Sequence, residues 1–420
     1  MTINVKHKKM TVLHVATLNQ PISPDLGYGP IETVIYNIDK GLHSLGHRSI
    51  VACSGDSIVA GEHYVTVDHS TGDYWSVNTP ERRQNTNMHY SNALYRAGVG
   101  DIDIIHTHDA KAVEFMYNSV FNMHIPIVMT LHISAEDSSL GGAYQRWCSP
   151  LLSSPMVYSA AISEYQKKQY SNLVNADNVV YHGIDVEEYP FKEDQNKADY
   201  LFTIGRITSD KGQDKAIEIA KKTGSKLIIA GCVQNKTADR EFFAGLQNSI
   251  DLSVEIGKIQ VDNDYYERVI KPLLDCDKQI IYIGEISSEH KKHWYRHARA
   301  TLFPIQWGEP FGLVLVESMA CGTPVIAFNK GAVPEIVVDG KTGFVVDSMN
   351  SMIEAVGRID SIDPRECRRH VQNHFSITSM AGNYSELYHK IIGSNNTSDT
   401  LSRVSTGRTS KPLPNGMRAA

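Results

Sequence analysis

The sequence predicts an α/β protein built from two Rossmann-like domains, each a parallel sheet covered by helices on both faces. Length is the first observation behind this prediction, because 420 residues exceed what one hydrophobic core usually organises. The second is a series of short, continuous apolar runs, which are typical of strands buried on both faces. The third is the helix-like amphipathic stretch between successive runs, which indicates repeated βαβ units.

The strand-like runs divide evenly between the two halves of the chain. In the first half they lie at 12–17, 48–54, 103–108, 126–132, 156–162 and 178–182. In the second half they lie at 200–205, 226–230, 279–283, 299–305, 324–328 and 343–347. Helical spacing is clearest after the first run, where a stop signal at Gly46 follows the apolar positions Ile31, Val34, Ile35, Ile38, Leu42 and Leu45.

A polar, proline-interrupted segment at 184–198 separates the two sets of units. We therefore predict a first domain over residues 1–190 and a second over residues 191–377. A further helix is expected at 378–393. The remaining segment, 394–420, has almost no apolar content, which predicts a disordered tail.

Composition argues against several classes of protein. A net charge of -6 and a pI of about 6.3 disfavour a nucleic-acid binder. Six widely spaced cysteines without a Cys-x-x-Cys pair indicate free thiols in a reducing compartment, so we expect a cytoplasmic location. No apolar run is long enough to span a bilayer, and the short run after the basic start lacks the cleavage site of a secretory signal.

Glycines and polar residues that could bind a ligand follow many of the strand-like runs. Ligands of parallel sheets bind outside the carboxyl ends of the strands. The first half of the chain places there Gly27, Gly29, His108, His132 and Gly183. The second half places there Gly205-Arg206, Lys211-Gly212, Gly284-Glu285 and Trp307-Gly308-Glu309. Because both domains carry such residues, we predict a ligand in the cleft between them.

The segment GRITSDKG, residues 205–212, has the character of an anion site. A glycine turn and a helix start would present backbone N–H groups, and Arg206 and Lys211 add full positive charge. An ordinary βα turn with solvated cations is the alternative. The segment lacks the Gly-Lys-Ser/Thr ending of a Walker loop, which disfavours triphosphate hydrolysis.

The segment GEPFGLVLVESMACGTPVIAF, residues 308–328, carries two glutamates eight positions apart. Pro310 and Gly312 keep Glu309 in a loop, while GLVLVESMA can form a short buried helix whose first N–H groups point at the cleft. Glu309 can then accept hydrogen bonds from sugar hydroxyls, and Glu317 from a pair of hydroxyls such as those of a ribose. Two surface carboxylates are the alternative, which fits Glu317 poorly because its neighbours are apolar.

At these residues the sequence resembles the family 4 retaining glycosyltransferases, which have the GT-B fold with the active site in the interdomain cleft. The family's signature is matched by WGEPFGLVLVESMACGTPVIAFNKGAVPEIVVDGKTGFVV. Weaker matches are LGYGPIETVIYNI, DIIHTHD, TLH, AIS, VVYHGID and IGRITSDKGQD. The resemblance covers roughly residues 11–392. One departure is the first glycine loop, where Tyr28 and Pro30 make a stiffer and bulkier loop than the family's adjacent glycines.

The resemblance implies a role for each candidate residue. Arg206 and Lys211 would grip the donor diphosphate, Glu309 would hold the donor sugar, and Glu317 would bind the ribose. His132 would lie over the donor sugar near the reacting carbon. Further donor contacts would come from Gly29, Gly205, Gly284, Glu285, Ile286, Phe311, Gly312 and Leu313. The first domain would hold the acceptor, and the last helix would pack back on it.

The implied reaction moves a hexose-type sugar from a nucleotide-sugar to a hydroxyl of a glycan, a lipid-linked sugar or a small molecule. A UDP-sugar is the expected donor, with a GDP-sugar as the main alternative. Retention follows when the acceptor attacks the face from which the phosphate departs, so catalysis consists mainly of positioning and charge stabilisation. Arg206, Lys211 and the helix end supply that charge, so neither a metal nor a cofactor is expected.

Several alternatives are weaker. A metal hydrolase would use His106 and His108 on one strand face, but no convincing third and fourth ligand accompanies them. A nucleotide-sugar epimerase or phosphorylase would share the fold, and so would a catalytically silent sugar-nucleotide-binding partner subunit. A nucleophilic Cys321 is disfavoured, because a residue in the turn after the short helix is expected to serve packing.

The acceptor, the linkage and the oligomeric state leave no signal in the sequence. Residues 55–100 and 134–150 are expected to overhang the cleft as acceptor-side loops. Their aromatic residues that could stack on a sugar ring are Tyr74-Trp75, Tyr144 and Trp147. A weak peripheral contact with a membrane stays open, because the basic pairs Arg82-Arg83 and Lys167-Lys168 could meet an anionic surface, although a solvated face is the favoured interpretation.

Overall fold

The computed structural model describes residues 8–26, 29–72, 79–135, 149–191 and 197–396. Several residues singled out in the sequence lie outside these ranges: Gly27, Tyr28, Tyr74-Trp75, Tyr144, Trp147 and the tail beyond 396.

Two seven-stranded sheets organise the described chain. The strands of the first are β1 Thr11–Val15, β2 Arg48–Ser54, β3 Glu62–Val67, β4 Ile104–Thr107, β5 Ile127–Leu131, β6 Val157–Ala161 and β7 Asn178–Val179. The strands of the second are β8 Tyr200–Ile204, β9 Lys226–Ala230, β10 Leu252–Ser253, β11 Ile280–Tyr282, β12 Ala300–Phe303, β13 Val325–Phe328 and β14 Gly343–Val346. The orders are β3-β2-β1-β4-β5-β6-β7 and β10-β11-β9-β8-β12-β13-β14. Every strand pair is parallel, as the continuous apolar runs predicted.

Helices connect the strands and cover the sheets. In the first half they are α1 Pro30–Ser44, α2 Pro80–Ala97, α3 Ala110–Asn122, α4 Ser149–Leu152 and α5 Glu164–Tyr170. In the second half they are α6 Gln213–Thr223, α7 Thr237–Gln247, α8 Lys271–Asp275, α9 Ser288–His297, α10 Leu313–Ala320, α11 Val333–Ile336, α12 Met349–Arg358, α13 Pro364–His374 and α14 Ile377–Asn396. A single π-helical turn, Tyr266–Ile270, precedes α8.

Two strands were not anticipated from the apolar runs, and both lie at sheet edges. The first half of β3, Glu62 to Val65, is partly or fully exposed, so this strand lacks the continuous apolar content of a central strand. The other, β10, is only two residues long and pairs with β11 alone. A pattern that detects continuous apolar runs therefore misses edge strands that are short or partly exposed, although it found the edge strands β7 and β14.

The last helix, α14, returns to the first domain and packs on α1. Its Met380, Tyr384 and Tyr388 share one buried cluster with residues of α1 and of strands β1, β4 and β5. A close crossing depends on Gly41 of α1, because a Cβ there would lie 2.6 Å from the Cβ of Ala381. The predicted boundary at 190/191 falls in the connection between β7 and β8. Among the described residues, no helix combines the length and the apolar content that crossing a bilayer requires.

Candidate active site at the carboxyl ends of the strands

The segment 205–212 is a tight loop between β8 and α6, and it packs on the loop that follows β12. Gly212 has a φ of 74°, and a Cβ there would lie 2.1 Å from the carbonyl oxygen of Pro304. Gln306 donates its backbone N–H to the carbonyl of Asp210 at 2.7 Å. Only glycine allows this left-handed turn and close approach, so Gly212 holds the cationic loop against the loop that carries Glu309.

The ion pair between Lys211 and Glu309 is the closest contact between two predicted site residues. Lys211 Nζ lies 2.6 Å from Glu309 Oε2, and the two side chains are only 18% and 13% exposed. Lys211 Nζ also lies 5.5 Å from the ring centroid of Trp307 and 5.9 Å from that of Phe303. The pair is therefore screened from water on its aromatic side, which strengthens its electrostatic attraction.

Arg206 lies in the same loop as Lys211 and is positioned by two glutamines. Its guanidinium donates to Gln234 Oε1 at 3.3 Å, and its carbonyl accepts from Gln213 Nε2 at 2.8 Å. Gln213 begins α6, and Gln234 follows β9. Arg206 and Lys211 thus bring two cations to the carboxyl edge of the second sheet.

Glu317 lies in α10, where it is 5% exposed. Its Oε1 accepts from Lys291 Nζ at 2.6 Å, and its Oε2 accepts from the hydroxyl of Tyr295 at 3.1 Å. Lys291 and Tyr295 belong to α9 and were not singled out in the sequence. The carboxylate is therefore already paired, so a ribose would join or displace an existing network.

The segment Pro310-Phe311-Gly312 joins the second domain to the first. The Pro310 carbonyl accepts from Ser163 Oγ at 2.6 Å. The ring of Phe311 meets that of His182 edge-on, with 5.0 Å between centroids. Gly312 has a φ of 91° and begins α10, whose first residue, Leu313, packs against both domain cores. Because Phe311 is only 2% exposed, any donor contact from it must use the backbone.

The segment 284–286 follows β11, as predicted, but its three residues face different environments. Gly284 has a φ of 77°, and a Cβ there would lie 2.1 Å from Glu255 Oε2. Glu285 is the exposed residue of the three, and partial loss of water around its carboxylate, together with the nearby Glu255 charge, raises its pKa. Ile286 is 4% exposed and packs in the core, so only its backbone could face a nucleotide.

On the first domain, His132 belongs to a row of imidazoles that crosses the sheet. Its Nε2 lies 2.9 Å from His108 Nδ1, and its ring stacks on that of His182 with 5.4 Å between centroids. His182 in turn contacts Phe311. Burial lowers the pKa of His132 to about 3, and it lowers the pKa values of His108 and His182 well below the usual value. These imidazoles are neutral at physiological pH, so His132 can hydrogen-bond a sugar but not act as a cationic acid.

The structure brings a third histidine to His106 of β4 and His108 just after it, the pair that the sequence suggested as metal ligands. His14 lies opposite His106 in the neighbouring strand, and one ligand atom each of His14, His106 and His108 lie within 4.8 Å of one another. The sequence offered no convincing third and fourth ligand; parallel register brings in a candidate third from 92 positions away, and the described residues add no fourth to this group. The ring nitrogens of His106 already contact the hydroxyls of Thr130 and Tyr388, both at 2.7 Å. A metal would have to displace one of these hydroxyls.

Gly29 and Glu32 lie where the first glycine loop enters α1. A Cβ on Gly29 would lie 2.7 Å from Leu26 Cδ1, so alanine there would require the leucine side chain to shift. Glu32 is fully buried and accepts from Thr17 Oγ1 at 2.7 Å. Burial raises the pKa of Glu32 from 4.5 to about 7.

The raised pKa of Glu32 predicts a pH dependence of stability. Between pH 4.5 and 7 the folded protein binds more protons at Glu32 than the unfolded chain, so rising pH destabilises the fold. Glu32→Gln removes this effect. We expect the stability of Glu32→Gln relative to wild type to rise by roughly 3 kcal/mol between pH 4 and pH 8. Urea unfolding across this range measures it, with the exposed Glu81→Gln as control. Parallel curves for Glu32→Gln and wild type would contradict the prediction.

Cys321 is fully buried after α10, and burial raises the pKa of its thiol to about 12. A protonated thiol without exposure is a packing group, as the sequence suggested. The five described cysteines carry thiols and form no disulfide among themselves.

The predicted site residues of the second domain therefore gather in the loops after β8, β11 and β12 and at the start of α10. Three further residues, Ser163, Lys291 and Tyr295, contact them. Ser163 belongs to the short match AIS but was given no role, and Lys291 and Tyr295 lie in no motif. Polar residues that follow a strand or begin a helix were the only available signal, and many unrelated residues share it.

Residues 29–188 match the family model described as Glycosyltransferase Family 4, and residues 185–373 match the model described as Glycosyl transferases group 1. An uncharacterised glycosyltransferase of Methanocaldococcus jannaschii is 26% identical over 304 residues, which cover 69% of this chain and 76% of that protein. A D-inositol 3-phosphate glycosyltransferase of Mycolicibacterium smegmatis is 26% identical over 235 residues, which cover 52% of this chain and only 49% of that protein.

Two solved structures are similar in fold. Sucrose-phosphate synthase from Thermosynechococcus elongatus superposes with a TM-score of 0.68 at 17% identity, covering 92% of this chain and 100% of that one. HepE from Anabaena, in complex with UDP and glucose, superposes with a TM-score of 0.63 at 16% identity, covering 90% of this chain and 99% of that one. At these identities the likeness concerns the fold alone.

Proposed function

Because the two family models together span residues 29–373, the chain belongs to the family 4 glycosyltransferases of GT-B fold, and we propose that it transfers a hexose-type sugar, with retention and without a metal, from a UDP-sugar to a hydroxyl acceptor. The acceptor would be a glycan, a lipid-linked sugar or a small molecule. The proposal includes a cytoplasmic location, which rests on six widely spaced cysteines without a Cys-x-x-Cys pair in the sequence.

The observation that carries the proposal is the pair formed by Lys211 and Glu309, 2.6 Å apart beside the Arg206 loop. A cation for a diphosphate and a carboxylate for sugar hydroxyls must be neighbours in such a site, because the two chemical groups are joined through the anomeric carbon. Arg206 and Lys211 would stabilise the negative charge that grows on the departing phosphate. UDP is proposed as the nucleotide because the resemblance to the family implies it; among structures of the same fold, HepE was solved with UDP and starch synthase IV with ADP.

The proposed reaction retains the anomeric configuration without a protein nucleophile. The acceptor hydroxyl would approach from the first domain, on the face from which the phosphate leaves, and the phosphate would take its proton. His132 would hydrogen-bond the sugar as a neutral imidazole, since burial keeps its pKa at about 3. Catalysis would consist of holding the acceptor hydroxyl and the departing phosphate on the same face of the sugar and stabilising the leaving group.

The direct test is a binding and hydrolysis assay with chelator-treated protein and a panel of UDP-, GDP- and ADP-sugars. We expect selective binding of one nucleotide-sugar and slow hydrolysis without added metal. Glu317→Gln should weaken that binding by about tenfold to a hundredfold, because a charged hydrogen-bond acceptor is lost. The exposed Glu354→Gln of α12 is the matched control and should bind like wild type.

Melting temperatures of both variants show whether a loss of binding reflects unfolding, since Glu317 also pairs with Lys291. If no nucleotide-sugar binds wild type at millimolar concentration, the proposal is wrong and a silent partner subunit becomes the better interpretation. Binding that requires an added divalent metal would contradict the metal-independent mechanism.

A further inference from the structure

A carboxylate of the second domain, Glu335 in α11, bridges the two domains behind the candidate site. Its Oε1 accepts from the backbone N–H of Tyr165 at 2.7 Å, and its Oε2 accepts from the backbone N–H of Glu164 at 2.8 Å. The hydroxyl of Tyr181 donates to the same Oε2 at 2.9 Å. All three donors belong to the first domain, so one side chain makes three hydrogen bonds across the cleft.

The segment before Glu335 is packed directly on the backbone of Glu309. Ala332 donates its N–H to the carbonyl of Glu309 at 2.8 Å. Gly331 has a φ of 63°, and a Cβ there would lie 2.2 Å from that carbonyl oxygen and 2.3 Å from the Glu309 nitrogen. Displacement of α11 therefore moves Glu309, which is the ion-pair partner of Lys211.

A second set of contacts ties the loop that carries Glu309 to the start of α5 in the first domain. Ser163, immediately before α5, donates to the Pro310 carbonyl. A Cβ on Gly308 would lie 1.9 Å from the hydroxyl oxygen of Tyr165, so this loop passes very close to α5. The ring of Tyr181 also lies 6.3 Å from that of Phe311. Residues 308–311 are thus held between α5 and α11.

We propose that Glu335 is a positioning residue that couples closure of the two domains to the placement of Glu309. With its three hydrogen bonds formed, Glu335 holds α11 and the Glu309 loop (residues 307–312) against the start of α5. When they are broken, the domains separate and Glu309 is no longer held facing the first domain. The functional consequence rests on the proposed transferase activity, whereas the bridge itself does not.

Glu335→Gln is the informative change, because the amide keeps the shape but presents an NH₂ group to N–H or O–H donors. At least one of the three hydrogen bonds is then lost. We expect the turnover number in donor hydrolysis and in transfer to fall by about tenfold or more, with the dissociation constant of the nucleotide-sugar changed less than threefold. Tyr181→Phe removes one hydrogen bond and retains the ring, so a smaller decrease is expected. Glu354→Gln is again the matched control.

Hydrogen–deuterium exchange tests the bridge without any activity measurement. In Glu335→Gln the backbone amides of Glu164 and Tyr165 should exchange faster than in wild type, and small-angle scattering should give a larger radius of gyration. The melting temperature should change little, because the bridge lies outside both hydrophobic cores. Faster exchange in a protein that never turns over a nucleotide-sugar would support the bridge and refute the transferase activity.

Two outcomes would overturn the proposal. One is unchanged exchange at Glu164 and Tyr165 together with wild-type turnover in Glu335→Gln. The other is an equal loss in nucleotide-sugar affinity and in turnover, which would mean that Glu335 supports binding in general and does not act through closure. A double-mutant cycle of Glu335→Gln with Tyr181→Phe separates the shared hydrogen bond from independent effects.

Discussion

Lys211→Met is expected to lower the turnover number by about two to three orders of magnitude, the loss typical of removing one charged stabiliser of a transition state. Lys211 would stabilise the departing diphosphate, and it also holds Glu309 at 2.6 Å. Methionine keeps the apolar stem beside Trp307 and Phe303 but removes the charge. Steady-state transfer or donor hydrolysis measures the effect, once the donor is known.

Lys215→Met serves as the control for Lys211→Met, because Lys215 lies nearby in α6 and forms an ion pair with its neighbour Asp214 at 3.3 Å. Glu309→Gln should also be strongly impaired. The double variant of Lys211 and Glu309 should lose less than the product of the two single losses, because each residue orients the other. Independent, multiplicative losses would show that the ion pair has no catalytic role.

Arg206→Ala is expected to reduce turnover by a similar factor, about two to three orders of magnitude. Its guanidinium can donate two parallel hydrogen bonds to phosphate oxygens, which a single ammonium cannot do, so Arg206→Lys should recover only part of the loss. Gln234→Ala should cause a milder decrease of about tenfold or less, since it removes only the residue that orients the guanidinium.

The control for Arg206→Ala is Arg240→Ala in α7, whose guanidinium donates to Asn235 and is exposed. The loss at Arg206 should appear mainly in the turnover number, because charge on the phosphate grows as the sugar leaves. An increase in KM with an unchanged turnover number would mean that Arg206 binds the ground state and transition state equally, which contradicts the assigned role.

The architecture could be predicted because the information is local. A buried parallel strand must be apolar along its whole length, as Leu227, Ile228 and Ile229 of β9 are, and a covering helix must repeat apolar residues every three or four positions. Edge strands such as β3 escape this argument, since one side of the strand faces water. The chemistry of the second domain was also local: Arg206 and Lys211 share one loop, and Glu309 and Glu317 share one segment.

The remaining parts of the site depend on register and on domain contact, which no short pattern contains. His14 joins His106 and His108 only because β1 and β4 are neighbours in the sheet. Lys291 meets Glu317 because α9 packs beside α10. Such neighbours are chosen by the free energy of burying whole surfaces, so they cannot be read from the composition of one segment.

By itself, then, the sequence determined the two parallel sheets, the polar residues at their carboxyl edges and the class of ligand that those residues suit. Tertiary structure alone decided that Glu309 pairs with Lys211, 98 positions away, and that Glu335 meets the start of α5, 171 positions away. The physical reason is that strands and helices follow from short-range periodicity, whereas a contact across the cleft exists only after both domains have folded and packed together.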